Sequence, residues 1–262
     1  MKTVAFIGTG NMGGALARAA ARSGAADRLL LANRTPAKAQ KLADEIGGEV
    51  CDNRTAAREA DVLFLGVKPQ MLEGMLDGIR DVLQARTDRF VIVSMVAGKE
   101  LDKLDKLLGG LPVIRVMPNI PVSVGAGFTM MALSDKVTGE EKDFVRTLLA
   151  ASGTVQEMDE AMMDAANGVT GCGPAFAAMF VEALSDGAVA IGVPRKDAIR
   201  YAAQMLIGTG ELLLQTGEHP GALKDRVCSP GGSTIQGVRK LEECGFRAAV
   251  MNAVIAAWEK EF

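Results

Sequence analysis

The residues most suited to chemistry sit in two glycine-rich turns, one near each end of the chain. The first, Gly8-Thr9-Gly10-Asn11-Met12-Gly13, has the spacing GxGxxG. It follows the apolar run 4–7 and opens a helical pattern over residues 11–23. That strand, turn and helix are the context in which this spacing holds a dinucleotide pyrophosphate. Gly8 permits the tight turn. Gly10 has no Cβ, so backbone can approach the phosphates, and Gly13 lets the helix lie close to the strand. The N–H groups of Asn11 and Met12, with the helix dipole, then face the anion. The plain alternative is a glycine turn that holds nothing.

The kind of nicotinamide cofactor is read about 20 residues further on, where NAD enzymes place a carboxylate against the ribose 2′-hydroxyl. Here the second strand ends in Asn33-Arg34-Thr35. A carboxylate would repel a 2′-phosphate, whereas Arg34 can pair with one in bidentate fashion. This favours NADPH, with NADH as a second donor; the alternative is that Arg34 only ends a strand in solvent. Gly66-Val67-Lys68-Pro69 and residues 94–98 follow two further apolar strands. Ligands of open α/β sheets sit at the carboxyl ends of strands, so these loops are expected beside the nicotinamide. Lys68 either contacts phosphate or ribose or solvates a helix start.

The second turn, Ser229-Pro230-Gly231-Gly232-Ser233-Thr234, precedes a helix. Capping needs one hydroxyl; three, with two glycines, suit a nest for a small carboxylate. A further cluster, Gly168-Val169-Thr170-Gly171-Cys172-Gly173, stands before Pro174 and the first long apolar helix. It either admits a ligand or lets helices pack closely. His219 lies at a helix start and reads as structural. Cys51, Cys172, Cys228 and Cys244 are scattered without CxxC spacing. They read as free thiols of a reducing, cytoplasmic compartment, with no metal site.

These turns require elements to hold them. Over residues 1–158, short apolar strands alternate with helices: strands near 4–7, 29–32, 49–51, 62–66, 90–94, 113–117, 127–133 and 154–158, and helices at 11–23, 35–46 and 55–60. Thr35 reads as an N-cap with Pro36 at the first helical position. Alternation of this kind means βαβ units and a parallel, doubly wound Rossmann sheet, an α/β fold. Residues 159–262 read as all-helical, with helices at 174–191, 195–215, 220–227, 234–244 and 246–261. The first two are apolar nearly all round, and such helices must be buried on every side. A partner subunit is the simplest cover, so an obligate dimer is expected. The chain carries 29 Lys and Arg against 32 Asp and Glu, a net charge of −3. That gives no basic surplus for nucleic acid. No secretion signal and no membrane span are expected.

At this point the chain resembles the pyrroline-5-carboxylate reductase family over nearly its whole length. The resemblance rests on residues 6–16 (FIGTGNMGGAL), 67–70 (VKPQ), 116–122 (VMPNIPV), 168–176 (GVTGCGPAF) and above all 223–242 (LKDRVCSPGGSTIQGVRKLE). It implies NADPH-dependent hydride transfer to the C=N bond of 1-pyrroline-5-carboxylate, giving L-proline. It implies a Rossmann domain, a helical dimerisation domain, dimers assembling into rings up to a decamer, and an active site completed by the second subunit. By position it implies that Thr234 bonds the substrate nitrogen, while Ser229 and the backbone of Gly231, Gly232, Ser233 and Thr234 hold the carboxylate. It further implies Asn11, Met12, Asn33, Arg34, Asn53, Val67, Lys68, Pro69 and Ala97 around the cofactor. Phe176 and Cys172 replace the family's usual Tyr and Ser. One rival is a β-hydroxyacid dehydrogenase, whose second-domain GxxGxGxxxK motif this chain follows at Gly168, Gly171 and Gly173 but breaks at Ala177. The other is a non-catalytic NADPH-binding protein, which would need no separate anion nest.

Overall fold

A computed structural model describes residues 2–259. The last predicted helix therefore ends partly outside the described residues. Contacts divide the chain into two compact units between Ala166 and Asn167. The first unit runs β1 (Thr3–Ile7), α1 (Asn11–Ser23), β2 (Arg28–Ala32), α2 (Pro36–Ile46), β3 (Glu49–Val50), α3 (Asn53–Glu59) and β4 (Val62–Leu65). It continues through α4 (Leu72–Asp77), α5 (Arg80–Ala85), β5 (Val91–Ser94), α6 (Leu101–Leu108), β6 (Val113–Pro118), β7 (Gly127–Leu133), α7 (Gly139–Leu149) and β8 (Gly153–Glu157). Helix α8 (Glu160–Thr170) crosses the division, and α9 (Gly173–Ala190), α10 (Arg195–Thr216), α11 (Pro220–Val227), α12 (Ser233–Glu243) and α13 (Phe246–Glu259) follow it.

The eight strands form one sheet in the order β3-β2-β1-β4-β5-β6-β7-β8. Strands β1, β4 and β5 are buried along their whole length, which is why they are apolar without alternation. Side chains still alternate between faces, so each strand feeds two cores. Val4, Phe6, Phe64 and Val93 pack with α1 and α7, whereas Ala5, Ile7, Leu65 and Ile92 pack with α4, α5 and α6. Phe6 stacks on Phe64 with ring centroids 4.4 Å apart.

The sheet departs from the expected parallel order at one side. β7 runs antiparallel to β6, and β8 then runs parallel to β7. The cause is the connection. A parallel pair needs a crossover of a dozen or more residues, and residues 119–126 hold only a 3₁₀ turn, Ile120–Val124. The helices between β4 and β6 are short, six residues each in α4 and α5 and eight in α6. α3 starts at Asn53 rather than Thr55, because the Asp52 carboxylate accepts the Thr55 N–H at 2.6 Å. Thr35 does stand before α2, with Pro36 first, yet its side chain makes no cap bond.

Helix α8 has no counterpart among the helices expected from sequence. The second glycine cluster does not simply open a long helix. Gly168 to Thr170 form the last turn of α8, and α9 begins at Gly173. A Cβ at Gly168 would lie 3.3 Å from the Val254 carbonyl of α13, so close helix packing explains that glycine. Residues 160–190 taken together are long and apolar enough to cross a membrane by length and composition alone. The stretch is two helices broken near Gly171, and its second half carries Glu182 and Asp186. The second unit leaves large apolar side chains in solvent, including Ile191 at 83% and Leu214 at 87% exposure.

Candidate active site

Strands β3, β2, β1, β4, β5 and β6 are mutually parallel, so their carboxyl ends share one edge of the sheet. That edge gathers the first glycine turn, Asn33 and Arg34, Asn53, the 66–69 loop and Ala97. The order reverses direction at β1, between β2 and β4, which is where a doubly wound sheet opens a crevice for a dinucleotide.

Each glycine of the turn has its own geometric reason. Gly8 adopts φ +99°, and a Cβ there would lie 2.4 Å from the Gly66 carbonyl oxygen. A Cβ on Gly13 would lie 2.0 Å from the Gly8 carbonyl oxygen. At Gly10 a Cβ would meet no atom within 4 Å. The first two glycines therefore serve close packing, while the third keeps open space in front of the α1 N-terminus. Gly10 is the N-cap of α1 and offers no side-chain cap, so the first-turn N–H groups, including those of Asn11 and Met12, remain available to an anion. Thr9 Oγ1 is buried in the same turn without a hydrogen-bond partner. These features fit a bound pyrophosphate.

Asn33 folds back, its Nδ2 donating to the Thr35 carbonyl at 3.0 Å. Arg34 is exposed, and its contact is a long one of 3.8 Å from Nη1 to the Met71 sulfur. It has no carboxylate partner among the described residues, so the guanidinium fork is available for a phosphate. Asn53 is the first residue of α3, placed by the Asp52 cap at the end of β3. Lys68 is exposed just before a 3₁₀ turn starting at Pro69, and half-buried Val67 precedes it. Ala97 is exposed beside Gly98, whose φ of +66° turns the chain back toward α6.

The same edge includes residues that the sequence reading placed in no site. Met117, Pro118 and Asn119 stand at the carboxyl end of β6. Asn119 Oδ1 accepts the Phe128 N–H at 2.9 Å, which fixes this corner to β7. Their signal was their position after an apolar strand, the same one that singled out the 66–69 and 94–98 loops.

In the second unit, residues 229–234 form a turn ahead of α12. Gly231 has φ +69°, and the Gly232 N–H donates to the Ser229 carbonyl at 3.0 Å. A Pro-Gly pair supplies that geometry, proline fixing one φ and glycine permitting the positive one. A Cβ at Gly232 would lie 2.5 Å from Ser229 Oγ, so only glycine leaves this hydroxyl its place. Gly232 is the N-cap of α12 and offers no side chain, which leaves the N–H groups of Ser233 and Thr234 unspent. Gly232 shapes the nest but has committed its own N–H. Ser229, Ser233 and Thr234 are all exposed.

Two bland readings have direct explanations. His219 Nδ1 accepts the Gly221 N–H at 3.0 Å and so caps α11. The four cysteines are free thiols. Burial, aided by the Asp52 and Glu59 charges, pushes Cys51 up to about 11.

Comparison with known proteins gives a consistent answer. A family model described as pyrroline-5-carboxylate reductase dimerisation matches residues 160–261. One described as NADP oxidoreductase coenzyme F420-dependent matches residues 3–98. The chain is 40% identical to a pyrroline-5-carboxylate reductase of Escherichia coli, covering 99% of this chain and 97% of that one. It is 40% identical to one of Methanosarcina acetivorans, covering 98% and 96%. Among solved structures, a pyrroline-5-carboxylate reductase from Coxiella burnetii superposes with TM-score 0.90 at 28% identity, covering 98% of this chain and 96% of that one. The Plasmodium falciparum pyrroline carboxylate reductase with NADP bound superposes with TM-score 0.86 at 29% identity, covering 99% and 97%.

Proposed function

The chain belongs to the pyrroline-5-carboxylate reductase family, and from that membership we propose the roles its own residues play. It is an NADPH-dependent oxidoreductase that reduces the C=N bond of 1-pyrroline-5-carboxylate to give L-proline, the last step of proline biosynthesis. When bound, NADPH supplies the hydride. The chain's contribution is placement, because a protonated cyclic imine is already electrophilic.

On the cofactor side, Gly8, Gly10 and Gly13 shape the turn, and the first-turn N–H groups of Asn11 and Met12 hold the pyrophosphate. Arg34, with Asn33 beside it, takes the 2′-phosphate; NADH, lacking that phosphate, is the weaker donor. Asn53, Val67, Lys68, Pro69 and Ala97 line the remainder. On the substrate side, Ser229 Oγ and the N–H groups of Gly231, Ser233 and Thr234 receive the carboxylate. The Thr234 hydroxyl accepts the imine N–H and fixes which carbon faces the hydride. The observation that carries this reading is the α12 turn: an uncapped helix start, positive φ at Gly231 and three exposed hydroxyls together. Ala177 stands where a hydroxyacid dehydrogenase would carry its lysine, and an imine reductase needs none there.

The working form is a homodimer, with a decamer as the larger assembly, in the cytoplasm. The exposed apolar side chains of α9 and α10 support self-association. The sequence units 1–158 and 159–262 serve as cofactor and dimerisation domains, with α8 as the helix leading from one into the other. Purified protein given NADPH and the imine should form proline with matching NADPH oxidation. Turnover of a β-hydroxyacid without turnover of the imine would defeat the reading.

A further inference from the structure

A buried arginine outside the cofactor edge has no place in the roles above. Arg115 lies on β6, and its side chain is 3% exposed. Its neighbours Ile114 and Val116 point into the core shared with α1, so Arg115 points to the opposite face of the sheet. Taking a guanidinium out of water is expensive unless its N–H groups are met. Here Nη1 donates to Glu160 Oε1 at 2.8 Å and Nη2 to Asp164 Oδ1 at 3.3 Å. Glu160 and Asp164 are four residues apart, on one face of α8. Glu160 Oε1 also accepts the Leu101 N–H at 2.8 Å. Leu101 opens α6 and closes the 95–100 loop, which holds Ala97 and Gly98. Three residues past Arg115, β6 ends at Pro118. One carboxylate oxygen thus joins the end of β6, the base of that loop and the start of α8.

Apolar residues of similar volume often replace a buried ion triad with no loss of stability. What they cannot supply is direction, because a guanidinium fork fixes both the distance and the rotation of its partners. We propose that Arg115, with Glu160 and Asp164, is a positioning group for hydride transfer. It holds the 95–100 loop and the end of β6 at the spacing that the nicotinamide end of the cofactor requires. The proposal rests on the reductase reading given above.

The test compares wild type with Arg115→Met, Arg115→Lys and the triple variant Arg115→Met/Glu160→Leu/Asp164→Leu. Melting temperature, NADPH affinity, kcat and hydrogen exchange over residues 95–101 are measured for each. Arg115→Met should lower kcat by about tenfold or more, as expected for a small displacement of reacting groups. The KM for NADPH should stay within about twofold, since the pyrophosphate turn is untouched. Exchange at Leu101 and in the loop should accelerate. Arg115→Lys keeps the charge but loses the fork; it should fold and still lose kcat. The triple variant should regain melting temperature without regaining kcat or loop protection. Recovery of kcat together with stability in the triple variant would overturn the proposal, as would wild-type kcat in Arg115→Lys. If wild type fails to reduce the imine, the reductase reading fails; loop exchange still judges the anchor.

Discussion

Two alanine substitutions in the first glycine turn, at Gly10 and Gly13, should have opposite consequences. Gly10 has φ −71° and ψ −162°, an extended conformation that alanine adopts without strain. A Cβ there meets no atom within 4 Å. Gly10→Ala should therefore leave the free protein as stable as wild type, or stabilise it by about 0.4–1 kcal/mol through the unfolded chain. The same methyl occupies the space in front of the α1 N-terminus, where the pyrophosphate belongs. Overpacking costs about 1–3 kcal/mol, which weakens NADPH binding roughly 5- to 150-fold. At NADPH one hundred times the wild-type Kd, ligand stabilises wild type by about 2.7 kcal/mol. A thirtyfold loss of affinity leaves about 0.9 kcal/mol. The NADPH-induced rise in Tm should then shrink from about 5–11 °C to about 2–4 °C. Gly13→Ala is a different case. Its Cβ would stand 2.0 Å from the Gly8 carbonyl oxygen, a backbone atom that cannot swing aside. The turn must shift, at about 1–3 kcal/mol, and the free protein should melt roughly 2–12 °C lower. Thermal melts with and without NADPH, plus a direct titration, read both effects. Wild-type NADPH affinity in Gly10→Ala, or a wild-type melt in Gly13→Ala, would refute the reasoning.

Three further outcomes are expected. Thr234→Ala should reduce kcat roughly 10- to 150-fold, the worth of a hydrogen bond to a charged group. Its KM for NADPH should not move, nor should its Tm shift by more than about 2 °C, since Thr234 is an exposed residue in the first turn of α12; unaltered kinetics would remove it from the site. Arg34→Ala should raise the KM for NADPH by a similar factor and leave that for NADH alone, because the lost partner is the 2′-phosphate; an equal rise for both cofactors would show that the arginine does not read that group. Cys51, its thiol pushed up to about 11 chiefly by burial, is almost entirely protonated at pH 8. Timed alkylation with mass spectrometry should modify exposed Cys244 before Cys51, and the reverse order would contradict the burial of Cys51.

The two glycine turns and the arginine at the end of β2 were legible as patterns in the sequence because each is a local event. A glycine turn after a strand, an arginine where a carboxylate is usual, and a Pro-Gly-Gly before a helix are all short-range patterns. The helix boundaries of α1 and α11 matched their local signals for the same reason. The reversal at β7 was not legible, because it depends on how far residues 119–126 can reach once β6 is in place. The partner of Asn119 was likewise hidden, since the Phe128 N–H that its Oδ1 accepts depends on which strand pairs beside β6.

Spacing along the chain identified the turn from Gly8 to Gly13 and its ligand class. Folding gave its three glycines different tasks, because Gly8 and Gly13 meet backbone brought in from Gly66 and from the turn itself, while Gly10 meets open space. Arg115 marks the same limit more sharply. In the sequence it is one arginine in an apolar run. In the fold, strand alternation turns it away from the core that Ile114 and Val116 enter. Two carboxylates one helical turn apart, far along the chain, then meet its guanidinium. Local preference acts over a few residues and can be read directly; the partners of a buried charge are chosen by packing across the whole sheet.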